Sequence, residues 1–86
     1  MDNFTATMIA ENADGYEAES EDQYYEAWQH LINTGLAWTL QGSFGRGARQ
    51  LIDAGVCTPV FNTEQDLMDF YGLEWVDYID EWRAQQ

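Results

Sequence analysis

There is no lysine in this chain, and only three arginines stand against sixteen carboxylates, for a formal net charge of -13. Phosphate backbones repel such a surface, so direct binding to nucleic acid is excluded and basic partners are favoured. Cysteine occurs once, at Cys57, which rules out an intrachain disulfide and a cysteine-based zinc site. A lone cysteine beside an apolar run reads as a small core residue. Histidine also occurs once, at His30, and no Ser-His-Asp set or Cys-His signature is visible. Catalysis therefore has no support, and the chain is read as a non-enzyme with no cofactor and no metal. No long apolar run is present, and Met1-Asp2-Asn3-Phe4 carries no basic residue. Neither a signal peptide nor a membrane span is expected, and a cytoplasm is the default location.

What is present has to make a core from few residues. A chain of 86 residues reads as one domain, 1–86, and such a chain buries only about 60–65% of its unfolded surface. Thirteen aromatics, four of them Trp, and 45% hydrophobic residues supply the apolar area. That content is too apolar for a wholly disordered chain, although residues 1–19 are expected to be partly flexible.

Helical periodicity dominates. Phe4 to Ala10 is ambiguous between helix and strand, and Asn12-Ala13-Asp14-Gly15 is a turn signal. Ser20 followed by Gln23 predicts a capping box opening a helix to about Asn33, with Gly35 at its end. Tyr24, Tyr25, Ala27, Trp28, Leu31 and Ile32 share one arc of that helix. Leu36 to Leu40 reads as a short helix, with a strand as the other option. Gly42 breaks it, and Ser43 is expected to cap a helix whose apolar face is Phe44, Ala48, Leu51 and Ile52. Val56 to Phe61 is an extended connector. Asn62 or Thr63 caps the next helix, carrying Leu67, Met68, Phe70 and Tyr71. After Gly72, one last helix is predicted from Leu73 to about Ala84, with Trp75, Val76, Ile79 and Trp82 as its apolar arc. The fold class expected is all-α: a compact bundle of three to five short helices, with a short extended segment at the N-terminus or connector.

Charge is unevenly spread. Residues 1–34 carry eight carboxylates and no Arg, residues 35–62 carry Arg46, Arg49 and only Asp53, and residues 63–86 carry seven acids and Arg83. Two acidic faces are the candidate partner-binding residues: Glu17, Glu19, Glu21, Asp22 and Glu26 in the first block, and Glu74, Asp77, Asp80 and Glu81 in the second. On one continuous α-helix the second set falls within about 120° of arc and about 10 Å of axis. Duplex DNA carries one charge per roughly 1.7 Å, a density that helical carboxylates approach because each residue rises only about 1.5 Å. Two readings stay open. The faces imitate nucleic acid toward a basic protein, or they only solvate the fold. The absence of Lys favours the first, because solvated faces mix signs.

Other patterns are weaker. Asn12, Asp14, Gly15 and Glu21 echo an EF-hand loop, but Ala10 stands where the first ligand belongs and Glu17 where an apolar residue belongs. Gly42 to Arg49 fits no phosphate-binding motif, so its glycines are read as packing positions and Arg46 and Arg49 as partners of internal acids, Arg49 with Asp53. Asp22, Glu26 and His30 recur every four residues, which suggests an ordinary Glu26–His30 surface pair. Thirteen rings exceed what one small core hides, so Trp38, Trp75 and Trp82 are candidates for a surface anchor.

From Thr34 to Cys57 the chain has the spacing TGLxWxLQGxFGRxAxxLIxxGxC. With the preceding Gln29 to Asn33, this stretch resembles a family of small tailed-bacteriophage proteins, over about a third of the chain. The resemblance implies context, a phage accessory product acting in the host bacterial cytoplasm, and carries over no functional residue. The expected function is therefore an inhibitory binding protein of anti-CRISPR or anti-restriction type, whose partner is a host protein with a basic nucleic-acid-binding surface. The alternative is an adaptor or structural protein with an aromatic interface, including a homodimer.

Overall fold

Ser20 and Gly35 bracket the longest helix, and the rest of the computed structural model is arranged around it. The structure describes residues 1–40 and 42–86. In order they form α1 (Asn3–Ala10), α2 (Glu21–Thr34), α3 (Leu36–Thr39), α4 (Gly42–Asp53), α5 (Glu64–Tyr71), a 3-10 segment (Gly72–Asp77) and α6 (Ile79–Ala84). No strand occurs among the described residues, so the fold is all-α. Gln41, which belongs to the recognised spacing, lies outside them.

The ambiguity at the N-terminus resolves as helix because Asp2 caps it, accepting the Thr5 backbone N–H at 2.7 Å. That bond also holds the Asp2 carboxyl below its ordinary range. Two further helices open with the same device, each shifted by one residue from the expected box. Ser20 Oγ accepts from Gln23 N at 3.2 Å, while Gln23 Oε1 reaches back past the cap to Glu19 N at 2.6 Å. Thr63 Oγ1 accepts from Asp66 N, while Asp66 Oδ2 reaches back to Asn62 N, both at 3.1 Å. Each arrangement satisfies one open donor of the first helical turn and one backbone N–H just before the cap. Gly35 then ends α2 at φ 83, a left-handed conformation that glycine takes without steric cost.

Two expectations are corrected here. Ser43 does not cap α4, which already begins at Gly42 and so takes Ser43 into its first turn. The last helix is not continuous. Gly72–Asp77 winds as 3-10, and a short α-helix starts only at Ile79. The apolar arc predicted for it holds in part: Ile79 is buried, Trp75 and Trp82 are half-buried, and Val76 is exposed.

The main core joins Ala6, Ile9 and Ala10 of α1 to Ala27, Trp28, Leu31 and Ile32 of α2, with Ala37, Phe44, Ala48 and Cys57 closing it. Alanine on the facing surfaces lets the helices approach closely. A Cβ at Gly47 would stand 2.6 Å from Trp28 Cη2, so the indole occupies the space that a side chain on α4 would need. A second cluster, Leu67, Phe70 and Ile79, forms beyond the C-terminal end of α2. The connector is tied to α2 by Gln29, whose amide accepts from Thr58 N at 2.7 Å and donates to Thr58 O at 2.8 Å. Asn62 Nδ2 donates to Asn33 O at 2.9 Å, and Trp38 and Trp82 donate their indole N–H groups to Val60 O and Phe61 O. Side chains thus satisfy a backbone segment that no ladder covers. The molecule measures 42 × 21 × 21 Å, and its radius of gyration of 13.3 Å exceeds the roughly 12 Å typical of this length. Among the described residues, no helix is long and apolar enough to cross a membrane.

Two glycine substitutions in α4 should diverge. Gly45→Ala meets only the Ala37 carbonyl at an ordinary 3.6 Å and should gain about 0.5–1 kcal/mol from helix propensity. Gly47→Ala should lose about 1–3 kcal/mol, because Trp28 must move. Urea unfolding of both variants checks this, and equal midpoints would contradict the Trp28 contact.

Candidate functional site

The first acidic surface grows from the start of α2. Glu21 and Asp22 occupy its first turn, where carboxylates meet the positive end of the helix dipole. Glu17 and Glu19 approach through the loop, which turns at Asn12 (φ 55) and Gly15 (φ 83). Glu26 follows one turn into the helix. All five side chains belong to exposed residues.

The second surface lies past the opposite end of α2. Asp66, buried beneath the Asn62 backbone, packs its carboxylate 3.5 Å from where a Cβ at Gly35 would stand. This contact seats the start of α5 on the end of α2. α2, whose 14 residues span some 21 Å, runs from the first surface to the seat of α5. Glu74, Asp77, Asp80 and Glu81 are all exposed, but they do not form the single helical stripe expected from the sequence. At three residues per turn, Glu74 and Asp77 eclipse each other on the 3-10 segment, while Asp80 and Glu81 belong to α6 beyond the break at Tyr78. Glu81 also borders an aromatic cleft with Tyr71, Tyr78 and Trp82.

The cations do little to neutralise these surfaces. Arg83 directs Nε and Nη2 to Glu64 Oε1 at 2.9 and 2.7 Å. Arg49 reaches Asp53 only at 4.0 Å; its stronger contacts are a 3.0 Å hydrogen bond to Phe70 O and a seat 5.0 Å above the Phe70 ring. Arg46 makes no ion pair among the described residues, against the expectation that it would pair an internal acid. The expected Glu26–His30 pair is also absent among them: His30 Nε2 lies 2.7 Å from Asn3 Oδ1 and ties α2 to α1. With Asp53 and Glu64 paired and Asp66 buried, the other thirteen carboxylates are exposed and have no ion-pair partner among the described residues. No group of three His, Cys, Asp or Glu residues converges as a metal site among the described residues.

Cys57 is a buried core residue, its thiol 3.8 Å from Tyr25 O and its pKa raised by desolvation. The three tryptophans singled out from the sequence are half-buried, and Trp38 and Trp82 are hydrogen-bonded. The freer rings are Phe4, 60% exposed, and its edge-on neighbour Tyr16, together with Tyr78. Sequence reasoning placed Tyr71 on an apolar helix face but missed Tyr78 and the stack between them, with centroids 3.8 Å apart and planes 10° apart. Their spacing of seven residues was a signal, but the 3-10 segment that lets them meet was not visible. They end a run of rings from Trp38 through Phe61 and Phe70. Desolvation raises the Tyr71 pKa, the neighbouring Tyr78 and Glu81 raise it further, and Arg49 opposes them.

The family described as a domain of unknown function (DUF7417) matches residues 4–72. The chain belongs to that family. No curated protein and no solved structure matches it. The family domain takes in the first acidic block and α5 but ends at Gly72, so Glu74, Asp77, Asp80 and Glu81 lie beyond it. The first block, which lies outside the Gln29–Cys57 resemblance, is thus inside the family domain.

Because Tyr71 has a raised pKa in the folded state, its neutral form supports the fold. That contribution is complete below the unfolded tyrosine pKa of about 10 and is lost as pH rises through the folded value. Tyr71→Phe should remove a step above the ordinary tyrosine range from an alkaline absorbance titration and flatten the loss of stability above pH ~10. Parallel stability curves for the two proteins would contradict the assignment.

Proposed function

We propose that this chain is a phage-encoded, non-enzymatic inhibitor that occupies the basic nucleic-acid-binding surface of a host defence or nucleic-acid-handling protein in the bacterial cytoplasm. The observation that carries the reading is the set of thirteen exposed carboxylates without ion-pair partners among the described residues. A small domain needs a net charge of only about 2–8 for solubility, and this excess costs self-repulsion without serving the core. The acids at the start of α2 and those of the last segment offer two acidic stretches to a groove that holds a duplex. Restriction enzymes and RNA-guided immune complexes offer grooves of this kind.

A second reading rests on different residues. Leu73 is 97% exposed, Val76 55% and Phe4 60%, so an adaptor or homodimer could use an apolar contact instead. Such an interface would tolerate salt.

Pull-down from bacterial lysate separates the two. Capture should fall at least roughly tenfold between about 50 and 500 mM salt, because screening shortens the reach of exposed charges. Neutralising Glu17, Glu19, Glu21, Asp22 and Glu26, or Glu74, Asp77, Asp80 and Glu81, should weaken capture at low salt. Salt-independent capture that survives both variants would sink the charge-mimic reading.

A further inference from the structure

A cleft of about 400 Å³ opens between the Pro59–Phe61 connector, α5 and α6. Its size lies at the lower end of the roughly 300–1,000 Å³ range of small-ligand sites. Aromatic side chains make its walls: Phe61, the stacked pair of Tyr71 and Tyr78, and Trp82. They are held in place. Trp82 donates to Phe61 O at 2.8 Å, and Tyr71 packs edge-on to Phe70 with centroids 4.8 Å apart. Glu81, in α6 three residues after Tyr78, also lines the cleft and has no ion-pair partner among the described residues. The arginine nearest in sequence, Arg83, is committed to Glu64. The cleft therefore combines ring faces and a carboxylate without a cation.

We propose that this cleft is a socket for one arginine side chain of the basic partner, with the guanidinium against the Tyr78 and Trp82 rings and paired to Glu81. A planar guanidinium suits both elements at once: it stacks on aromatic faces and presents parallel donors to a carboxylate. A lysine ammonium is a compact, strongly hydrated point charge and loses more on leaving water. The protein already holds one guanidinium on a ring, since Arg49 lies 5.0 Å above Phe70 and donates to the Phe70 carbonyl. Asp77 and Asp80 flank the site in sequence and add to its negative potential. Tyr78, Glu81 and Trp82 lie beyond the matched family domain, so the socket gives this chain an anchor that the domain alone lacks.

The inference rests on the reading of a basic partner and adds the anchor residue of that partner. It is tested on the full chain by NMR titration with Nα-acetyl-arginine amide, its neutral isostere Nα-acetyl-citrulline amide, and Nα-acetyl-lysine amide. Arginine should give saturable shifts centred on the Tyr71 and Tyr78 rings and the Trp82 indole N–H. Citrulline should bind roughly tenfold more weakly, and lysine less tightly than arginine. Glu81→Gln should weaken arginine binding roughly three- to fivefold, while Asp14→Asn, outside both named acidic faces, leaves it unchanged. Equal binding of citrulline, shifts spread over both acidic surfaces, or an unaffected Glu81→Gln variant would overturn the socket. Self-association abolished by Arg46→Gln would give the cleft to a second copy and overturn the partner assignment. Loss of arginine binding with salt-sensitive capture intact removes the socket alone. Arginine binding with salt-insensitive capture removes the charge-mimic reading alone.

Discussion

Three arginines cannot neutralise sixteen carboxylates, and this shortage shapes the molecule more than any single contact. One arginine is spent on Glu64, one mostly on the Phe70 ring and carbonyl, and one on no acid among the described residues. Water must solvate the rest, which requires the carboxylates to stay exposed and apart. The 42 Å length and the exposure of thirteen carboxylates meet that requirement. Asp66 is the one buried acid; its carboxylate accepts the Asn62 backbone N–H, and its own N–H is capped by Thr63 Oγ1.

The same shortage places weight on packing. With little ionic cohesion, the helices are held by close approach, as the alanines of α1 and α2 and the Gly47–Trp28 contact show. The second cluster depends on rings instead. Trp38, Phe61, Phe70, Tyr71 and Tyr78 follow one another with centroids 3.8–5.9 Å apart, linking α3, the connector and α5 to the last segment. This seam carries the second acidic surface and walls the cleft beside Glu81. Charge and aromatic packing are thus combined at one end of the molecule.

Local chemistry made much of this legible. Ser20, Gln23 and Gly35 marked α2, and Thr63 marked α5, because caps and left-handed glycines act within a few residues. The apolar faces of α2 and α4 followed from their periodicity. The break in the last helix did not, because the pattern from Leu73 to Trp82 fits a continuous helix as well as a 3-10 turn followed by a short one. The 3-10 turn brings Tyr71 and Tyr78 together, a contact that periodicity does not encode. The nine candidate acidic residues are exposed, and the grouping of the second four changed once the helix was broken. Pairings across 21 to 29 residues, such as Arg49 with Phe70 or Gln29 with Thr58, were equally out of reach. His30 was assigned a neighbour on its own helix, and its partner is Asn3.

The central claim is that the acidic surfaces stand in for nucleic acid on a basic protein, and simultaneous occupancy tests it most directly. The captured partner, saturated with this chain at low salt, is challenged with labelled duplex DNA or RNA. Mutual exclusion, with each ligand raising the apparent Kd of the other in proportion to its own concentration, is the predicted result. A stable ternary complex, in which nucleic acid binds the partner undisturbed while this chain remains attached, would contradict the account.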